Sequence, residues 1–182
     1  MDPITFAIDE RLADAGSTVP LKGHADMTSF ELGGRTFDCP AGLDYDLMLT
    51  NAGEGILATG IATVHASTAC DRCLEKAELD ISAEVDEYFL FEEPAASEED
   101  EDDEVDFSLV GDDNTIEVGE PIMAAVLMEA PFVVLCRDDC KGLCPRCGAN
   151  LNEGPCGCEA AREAERQEQS PFAKLKGLKL DD

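Results

Sequence analysis

Cys136-Arg-Asp-Asp-Cys140-Lys-Gly-Leu-Cys144-Pro-Arg-Cys147-Gly-Ala-Asn-Leu-Asn-Glu-Gly-Pro-Cys156-Gly-Cys158 carries six of the nine cysteines of this chain. Cys144 to Gly148 is typical of a zinc knuckle, because proline fixes φ and glycine lets backbone amides approach the sulfurs. Cys156 and Cys158 can complete a tetrahedral four-thiolate site, the arrangement of a structural zinc ion. The alternatives are disulfides, which need an oxidising compartment, and unrelated buried thiols. The stretch therefore predicts a zinc site.

A second CxxC lies upstream, at Cys70-Asp-Arg-Cys73. Once the four C-terminal cysteines are assigned, Cys136 and Cys140 remain and can join it in a possible second zinc site. Two alternatives stay open at this point. Cys70 and Cys73 could be metal-free turn residues, and Cys140 could exchange places with Cys156 or Cys158 in the first site. Cys39 is left without a role.

Alternation of apolar and polar residues predicts an α+β fold, mainly an antiparallel β-sheet with one or two short helices and a C-terminal four-cysteine zinc module. The strand predictions cover residues 27–38, 43–50, 56–69 and 79–87. Because the last two flank the CxxC, Cys70 and Cys73 are predicted at the tip of a long hairpin. A helix is predicted from Gly119-Glu120-Pro121 to the residue before Pro131, with an apolar stripe. The stripe comprises Ile122, Met123, Val126, Leu127 and Ala130.

The chain is predicted to contain three parts. Residues 1–135 form an antiparallel β-rich core, interrupted over 92–106 by an acidic loop too poor in apolar residues to order itself. Residues 136–158 form the zinc-binding module. Residues 159–182 comprise a charged helix followed by a docking tail.

The formal net charge is −28, and residues 74–120 alone contain 20 acidic residues and one basic residue. Such a surface repels phosphates and disfavours electrostatic binding of nucleic acid by the chain as a whole. Residues 136–182 are nearly neutral, with nine acids and eight bases, so any contact with RNA is expected there. The residues that could make contact with RNA or a partner are Arg137, Lys141, Arg146, Lys174, Lys176 and Lys179, which could equally be solvated charges.

No catalytic constellation is evident, so the protein is not expected to be an enzyme. His24 and His65 are the only histidines, and neither lies near a nucleophile or base in a recognisable arrangement. A four-thiolate site is also closed to substrate. The chain shows no secretory signal and no apolar run long enough to span a bilayer, which favours a cytoplasmic protein without a membrane partner.

Several of these motifs occur together in a known family. They are the hairpin tip Ala69 to Glu75, the continuation Glu84 to Phe89, the helix end Ala130-Pro131, the cysteine block from Cys136 to Asn152, and the closing Ser170 to Leu175. In this combination the chain resembles the YceD family, the large ribosomal RNA subunit accumulation proteins, in its cysteine-rich form. The likeness covers roughly residues 55–182.

The resemblance implies a non-enzymatic role in ribosome biogenesis, supporting the synthesis, processing or accumulation of 23S rRNA. Combined with the acidity, it favours an adaptor that binds a basic ribosomal protein or rRNA-processing factor, with weak or indirect contact to rRNA. One alternative is a redox sensor in which oxidation of Cys144 and Cys147 releases zinc. Another is a zinc-ribbon protein that binds RNA through Arg137, Lys141 and Arg146.

Overall fold

A computed structural model of the protein describes residues 3–93 and 108–158. In chain order these ranges contain β1 (Thr5–Ala7), a 3-10 helix (Glu10–Leu12), β2 (Thr18–Ala25), β3 (Ser29–Leu32), β4 (Arg35–Asp38), β5 (Leu43–Asn51), β6 (Gly55–Ala69), β7 (Lys76–Leu90), β8 (Ser108–Leu109), β9 (Thr115–Glu117) and α1 (Gly119–Glu129). The prediction of a mainly antiparallel sheet with a short helix is confirmed. Most of the predicted acidic loop, and all of the predicted charged helix and docking tail, lie outside the described residues.

The described residues form two compact units. The first unit comprises residues 3–68, 78–93 and 108–132, and the second unit comprises 69–77 and 133–158. The first unit contains the β-sheets and α1. The second unit contains every cysteine except Cys39.

Within the described residues, the larger sheet has seven strands. Its main path runs β2-β5-β6-β4-β3, and β7 pairs with β6. β5 and β6 are antiparallel, with Leu43 opposite Val64 at one end and Asn51 opposite Ile56 at the other. β8 adds to the end of β7 in parallel, while β1 and β9 form a separate two-stranded sheet.

One face of β6 carries small residues and is buried. Side chains alternate between the two faces of a strand, and Ala58, Ala62, Val64 and Ala66 are all inaccessible or nearly so. Gly60 belongs to the same face, where a Cβ would clash with the carbonyl oxygen of Asp46 on β5. Small residues on this strand therefore let the neighbouring backbone approach closely.

The helix α1 follows the prediction in its limits but buries only part of its apolar stripe. Its first turn is capped by the Glu117 carboxylate, which accepts hydrogen bonds from the N–H groups of Gly119 at 2.9 Å and Glu120 at 3.0 Å. Ile122 and Val126 are fully buried, whereas Met123 and Leu127, also in the predicted stripe, are only half-buried. Within the described ranges, no helix has the length and apolarity needed to cross a membrane.

Candidate metal centres

Four sulfur atoms meet at the tip of the β6–β7 hairpin. Cys70 and Cys73 come from the tip, and Cys136 and Cys140 come from the segment that follows α1. Their four sulfurs lie within 4.8 Å of one another. We call this group the hairpin cluster. It contains the four residues predicted from the sequence to form a possible second zinc site.

The four C-terminal cysteines form a group of their own, the C-terminal cluster. The sulfurs of Cys144, Cys147, Cys156 and Cys158 also lie within 4.8 Å of one another. The alternative in which Cys140 takes the place of Cys156 or Cys158 is not the arrangement found, because Cys140 lies in the hairpin cluster.

The sulfur separations fit a tetrahedral metal site. A zinc–sulfur bond of about 2.3 Å gives a tetrahedron with sulfur–sulfur edges of about 3.8 Å. In the hairpin cluster, Cys70 and Cys140 sulfurs are 3.8 Å apart, and those of Cys73 and Cys136 are 3.5 Å apart. A disulfide would require about 2.05 Å, and all nine cysteines are free thiols. Each cluster can therefore hold a metal ion.

The two CxxC turns have the same backbone geometry. In the hairpin turn the Leu74 N–H donates to the carbonyl oxygen of Cys70 at 3.0 Å, and in the C-terminal turn Gly148 donates to Cys144 at 2.8 Å. Leu74 and Gly148 both adopt a positive φ, of 65° and 73°. Glycine tolerates this conformation, whereas leucine is strained in it. The residue after each CxxC thus turns the chain back over the sulfurs.

Hydrogen bonds hold the hairpin tip against the segment that supplies the other two sulfurs. The Asp71 carboxylate accepts from the Val134 N–H at 2.6 Å, and the Asp71 N–H donates to the Val134 carbonyl at 2.9 Å. The Arg72 guanidinium donates to the Cys140 carbonyl at 2.9 Å. The two residues inside the CxxC therefore position Cys136 and Cys140. Neither residue was assigned a role from the sequence, because their partners lie 63 and 68 positions away along the chain.

Asn152 connects the loop of the C-terminal cluster to the hairpin cluster. Its side-chain amide donates to the sulfur of Cys140 at 3.3 Å, and its side-chain oxygen accepts from the Lys141 N–H at 2.8 Å. The hydrogen bond from Asn152 lowers the pKa of the Cys140 thiol. Such outer contacts orient metal ligands and tune their basicity. Asn152 was also missed at the sequence level, because nothing local indicates its partner.

The clusters differ in exposure to solvent. In the hairpin cluster, Cys70, Cys73 and Cys140 are all buried, and only Cys136 is partly accessible. In the C-terminal cluster, Cys144 is buried but Cys147 is exposed, and the remaining two sulfurs are intermediate. The C-terminal cluster is therefore the more accessible of the two to chelators and oxidants.

In each cluster the first cysteine of the CxxC has a strongly lowered pKa. Burial raises the pKa of Cys70, but N–H groups of Cys73, Cys136 and Arg72 outweigh it and lower the pKa to about 6. The N–H groups of Arg146 and Cys147 likewise lower the pKa of Cys144 to about 6.

Other sulfurs of the clusters are poor acids. Burial and contact with the sulfur of Cys73 raise the pKa of Cys136 to about 12. Contact with the sulfur of Cys147, together with burial, raises the pKa of Cys158 to about 11. Ligand thiols must lose their protons on binding a metal, so a divalent cation is the natural counter-charge for each group.

The basic residues singled out for RNA or partner contact are exposed where the structure describes them. Arg137, Lys141 and Arg146 lie on the surface of the second unit. Arg137 forms an ion pair with Asp139 at 3.2 Å, and residues 136–158 hold three acids against these three bases. Lys174, Lys176 and Lys179 fall outside the described residues. The described surface of this unit is therefore not a strongly basic patch.

The fold and the two clusters define a β-sheet protein with a cysteine-rich unit of the kind that binds metal ions. Residues 58–179, about two thirds of the chain, match the YceD family, described as large ribosomal RNA subunit accumulation protein. The chain belongs to the YceD family. The resemblance seen in the sequence is thereby confirmed, and the family's description concerns accumulation of large-subunit ribosomal RNA, not an enzymatic activity.

Related proteins occur in mycobacteria and in a plant. An uncharacterized protein of Mycobacterium tuberculosis is 38% identical over 113 residues, which cover 62% of this chain and 53% of the relative. One from Mycobacterium leprae is 32% identical over 111 residues, covering 61% and 50%. The chain thus spans about half the length of these relatives.

In Arabidopsis thaliana, the chloroplastic large ribosomal RNA subunit accumulation protein YCED homolog 1 is 34% identical over 61 residues, covering 34% of this chain and 18% of the relative. No solved structure matches the chain.

Proposed function

We propose that the protein is a non-enzymatic ribosome biogenesis factor that supports the synthesis, processing or accumulation of 23S rRNA in the cytoplasm. It acts as an acidic adaptor for a basic ribosomal protein or rRNA-processing factor. Its two cysteine clusters bind zinc and hold the second unit in a fixed shape. Membership of the YceD family, over residues 58–179, is the observation that carries the proposal.

Electrostatics supports a protein partner over RNA as the main contact. The chain carries a net charge of −28 before its thiols are counted. A zinc ion with four thiolates has a formal charge of about −2, so filling both clusters makes the second unit more acidic. Because RNA affinity depends on neutralising phosphates, Arg137, Lys141 and Arg146 are a weak basis for direct binding. A basic protein gains from the same charge through faster association.

A zinc-thiolate redox sensor is the second candidate, favoured by the exposure of Cys147. Oxidation of Cys147 with a neighbouring thiolate would form a disulfide and release zinc, with the two electrons passing to an oxidant such as peroxide. The sensor predicts rapid, thiol-reversible zinc release together with a change of partner. The adaptor hypothesis predicts that an oxidant releases zinc slowly and that the binding partners stay the same until the second unit unfolds.

The proposal is tested by exchanging the chromosomal gene for variants and measuring the ratio of 23S to 16S rRNA. Cys144→Ser/Cys147→Ser should lower the ratio, whereas Cys39→Ala, which removes a buried thiol outside both clusters, should leave it unchanged. Affinity purification from extract with and without RNase then separates the contact types. A partner retained after RNase treatment supports the adaptor, and tight binding of bare rRNA by the purified protein at physiological salt would contradict it.

A further inference from the structure

A groove of about 450 Å³ lies between α1 and β7, within the first unit. Its β7 wall includes Glu84, Asp86 and Glu87, and its α1 wall includes Ala124, Ala125 and Met128. None of these residues belongs to a cysteine cluster. The groove is therefore a candidate site separate from the metal centres.

The groove runs along the edge of β7. Consecutive side chains of a strand point to opposite faces of the sheet, and Val85 is buried while Glu84 and Asp86 are exposed. All three nevertheless line the groove, so it opens beside the strand and not over one face. In the described part of the chain, β7 pairs with β6 and, only at Phe89 and Leu90, with β8. The edge beside the groove has no described strand partner.

An apolar surface faces solvent on the α1 side. The side chain of Met128 is 88% exposed, and Phe132, just after the helix, is 81% exposed. Met128 lines the groove, and a flexible methionine side chain adapts to different partners. The groove thus offers an apolar anchor point next to an open strand edge.

The rim of the groove is acidic. Glu84, Asp86 and Glu87 line one side and Glu129 lies at the end of α1, while no lysine or arginine among the described residues lines the groove. The C-terminal end of a helix carries a negative partial charge, and the last turn of α1 contains no basic residue to offset it. A second copy of this chain would bring like charge to the rim, so the complementary occupant is basic.

We propose that this groove binds a segment of a partner protein in which lysine or arginine residues flank an apolar anchor. The segment lies extended along the edge of β7, where exposed backbone groups can pair with it. Its apolar side chain contacts Met128, and its basic side chains meet the acidic rim. The inference rests on the proposed adaptor function for the partner's place in ribosome biogenesis, but peptide binding can be tested without any rRNA measurement.

The test uses the full-length, zinc-loaded protein with 13C-labelled methionine methyl groups, titrated with three synthetic peptides. The first is Lys-Leu-Lys-Val-Lys-Val-Lys-Leu-Lys; the second has serine for leucine and valine; the third has glutamate for lysine. Met128 and Met123 report from α1, and Met48 on β5, 41% exposed, is the control reporter. The first peptide should shift the Met128 signal saturably and leave Met48 unchanged. Equal shifts at Met48 and Met128, or equal binding of the serine peptide, would overturn the proposal.

Two charge variants refine the test. Glu84→Gln/Asp86→Asn/Glu129→Gln should weaken binding of the first peptide by at least fivefold. Asp26→Asn/Glu31→Gln/Glu54→Gln removes the same charge from exposed sites outside the groove and should weaken it less than twofold. If both variants weaken peptide binding equally, the peptide responds to the overall charge of the protein and not to the groove, which would overturn the proposal. Binding that appears only after deletion of residues 159–182 would also overturn the proposal, since the occupant would then be this chain's own lysine-bearing end.

Discussion

The side-chain amide of Asn152 donates a hydrogen bond to the sulfur of Cys140 at 3.3 Å. Asn152 lies in the loop between the two cysteine pairs of the C-terminal cluster, whereas Cys140 belongs to the hairpin cluster. Asn152 therefore links the ordering of the C-terminal loop to a ligand of the hairpin cluster. Loss of metal from the C-terminal cluster should disturb this loop and, through Asn152, weaken the hairpin cluster.

Asn152→Ala should lower the zinc affinity of the hairpin cluster about 10- to 100-fold, the usual effect of removing a hydrogen bond to a ligand. Asn152→Asp keeps the oxygen that accepts from the Lys141 N–H but loses the donor to Cys140, so it should weaken zinc binding to at least the same extent. Competition with a chromophoric chelator measures the affinity. Unchanged affinity in both variants would show that the contact does not act on the metal.

The purified reduced protein should contain two zinc ions per chain by elemental analysis. Cys73→Ser should reduce the content to about one, because it removes a ligand of the hairpin cluster alone. Cys39→Ala should retain two. A wild-type content of one would favour the C-terminal cluster alone, and a content of zero in protein purified without chelator would contradict the metal assignment altogether.

Zinc release to a chelator should occur in two phases. The fast phase should come from the C-terminal cluster because Cys147 is exposed, and the slow phase from the hairpin cluster because three of its sulfurs are buried. Cys147→Ser should abolish the fast phase and leave the slow one. If Cys73→Ser removes the fast phase instead, burial does not control release.

The free energy of unfolding of Leu74→Gly should be about 1 kcal/mol higher than that of Leu74→Ala. Both remove a side chain that is 66% exposed, but only glycine accepts the positive φ at this position without strain. Gly148→Ala makes the reverse change in the other CxxC turn. It should lower the free energy of unfolding by about 1 kcal/mol or more relative to the unchanged protein. Chemical denaturation of the zinc-loaded proteins measures the three values. Equal stability of the two Leu74 variants would mean that the turn relaxes.

The pattern of cysteines predicted both clusters because ligand spacing in a CxxC turn is local. The β6–β7 hairpin was predictable for the same reason, since alternation continues on both sides of Cys70 and Cys73. In contrast, β2 is absent from the sequence-based prediction. It contains Pro20, which usually argues against a strand, but β2 lies at the edge of the sheet, where a missing backbone donor is tolerated.

The contacts that position the sulfurs were beyond prediction from sequence because they join distant residues. Asp71 bonds to Val134 across 63 positions, and no local pattern marks such a pair. Leu74 is a further example, because its positive φ follows from the shared geometry of the two turns and not from the preference of leucine.

The separation of ligands along the chain has a consequence for protein synthesis. Cys73 and Cys136 are 63 residues apart, and Cys70 and Cys140 are 70 apart, whereas the C-terminal cluster is built from one short stretch. During translation the hairpin thiols leave the ribosome early and must wait for their partners, while closing so long a loop also costs entropy. A nascent chain that stops before residue 136 holds half a site. The hairpin cluster would thus bind its ion tightly only in chains that have been translated past β7, α1 and Cys140, which makes its zinc content a record of how far translation has advanced.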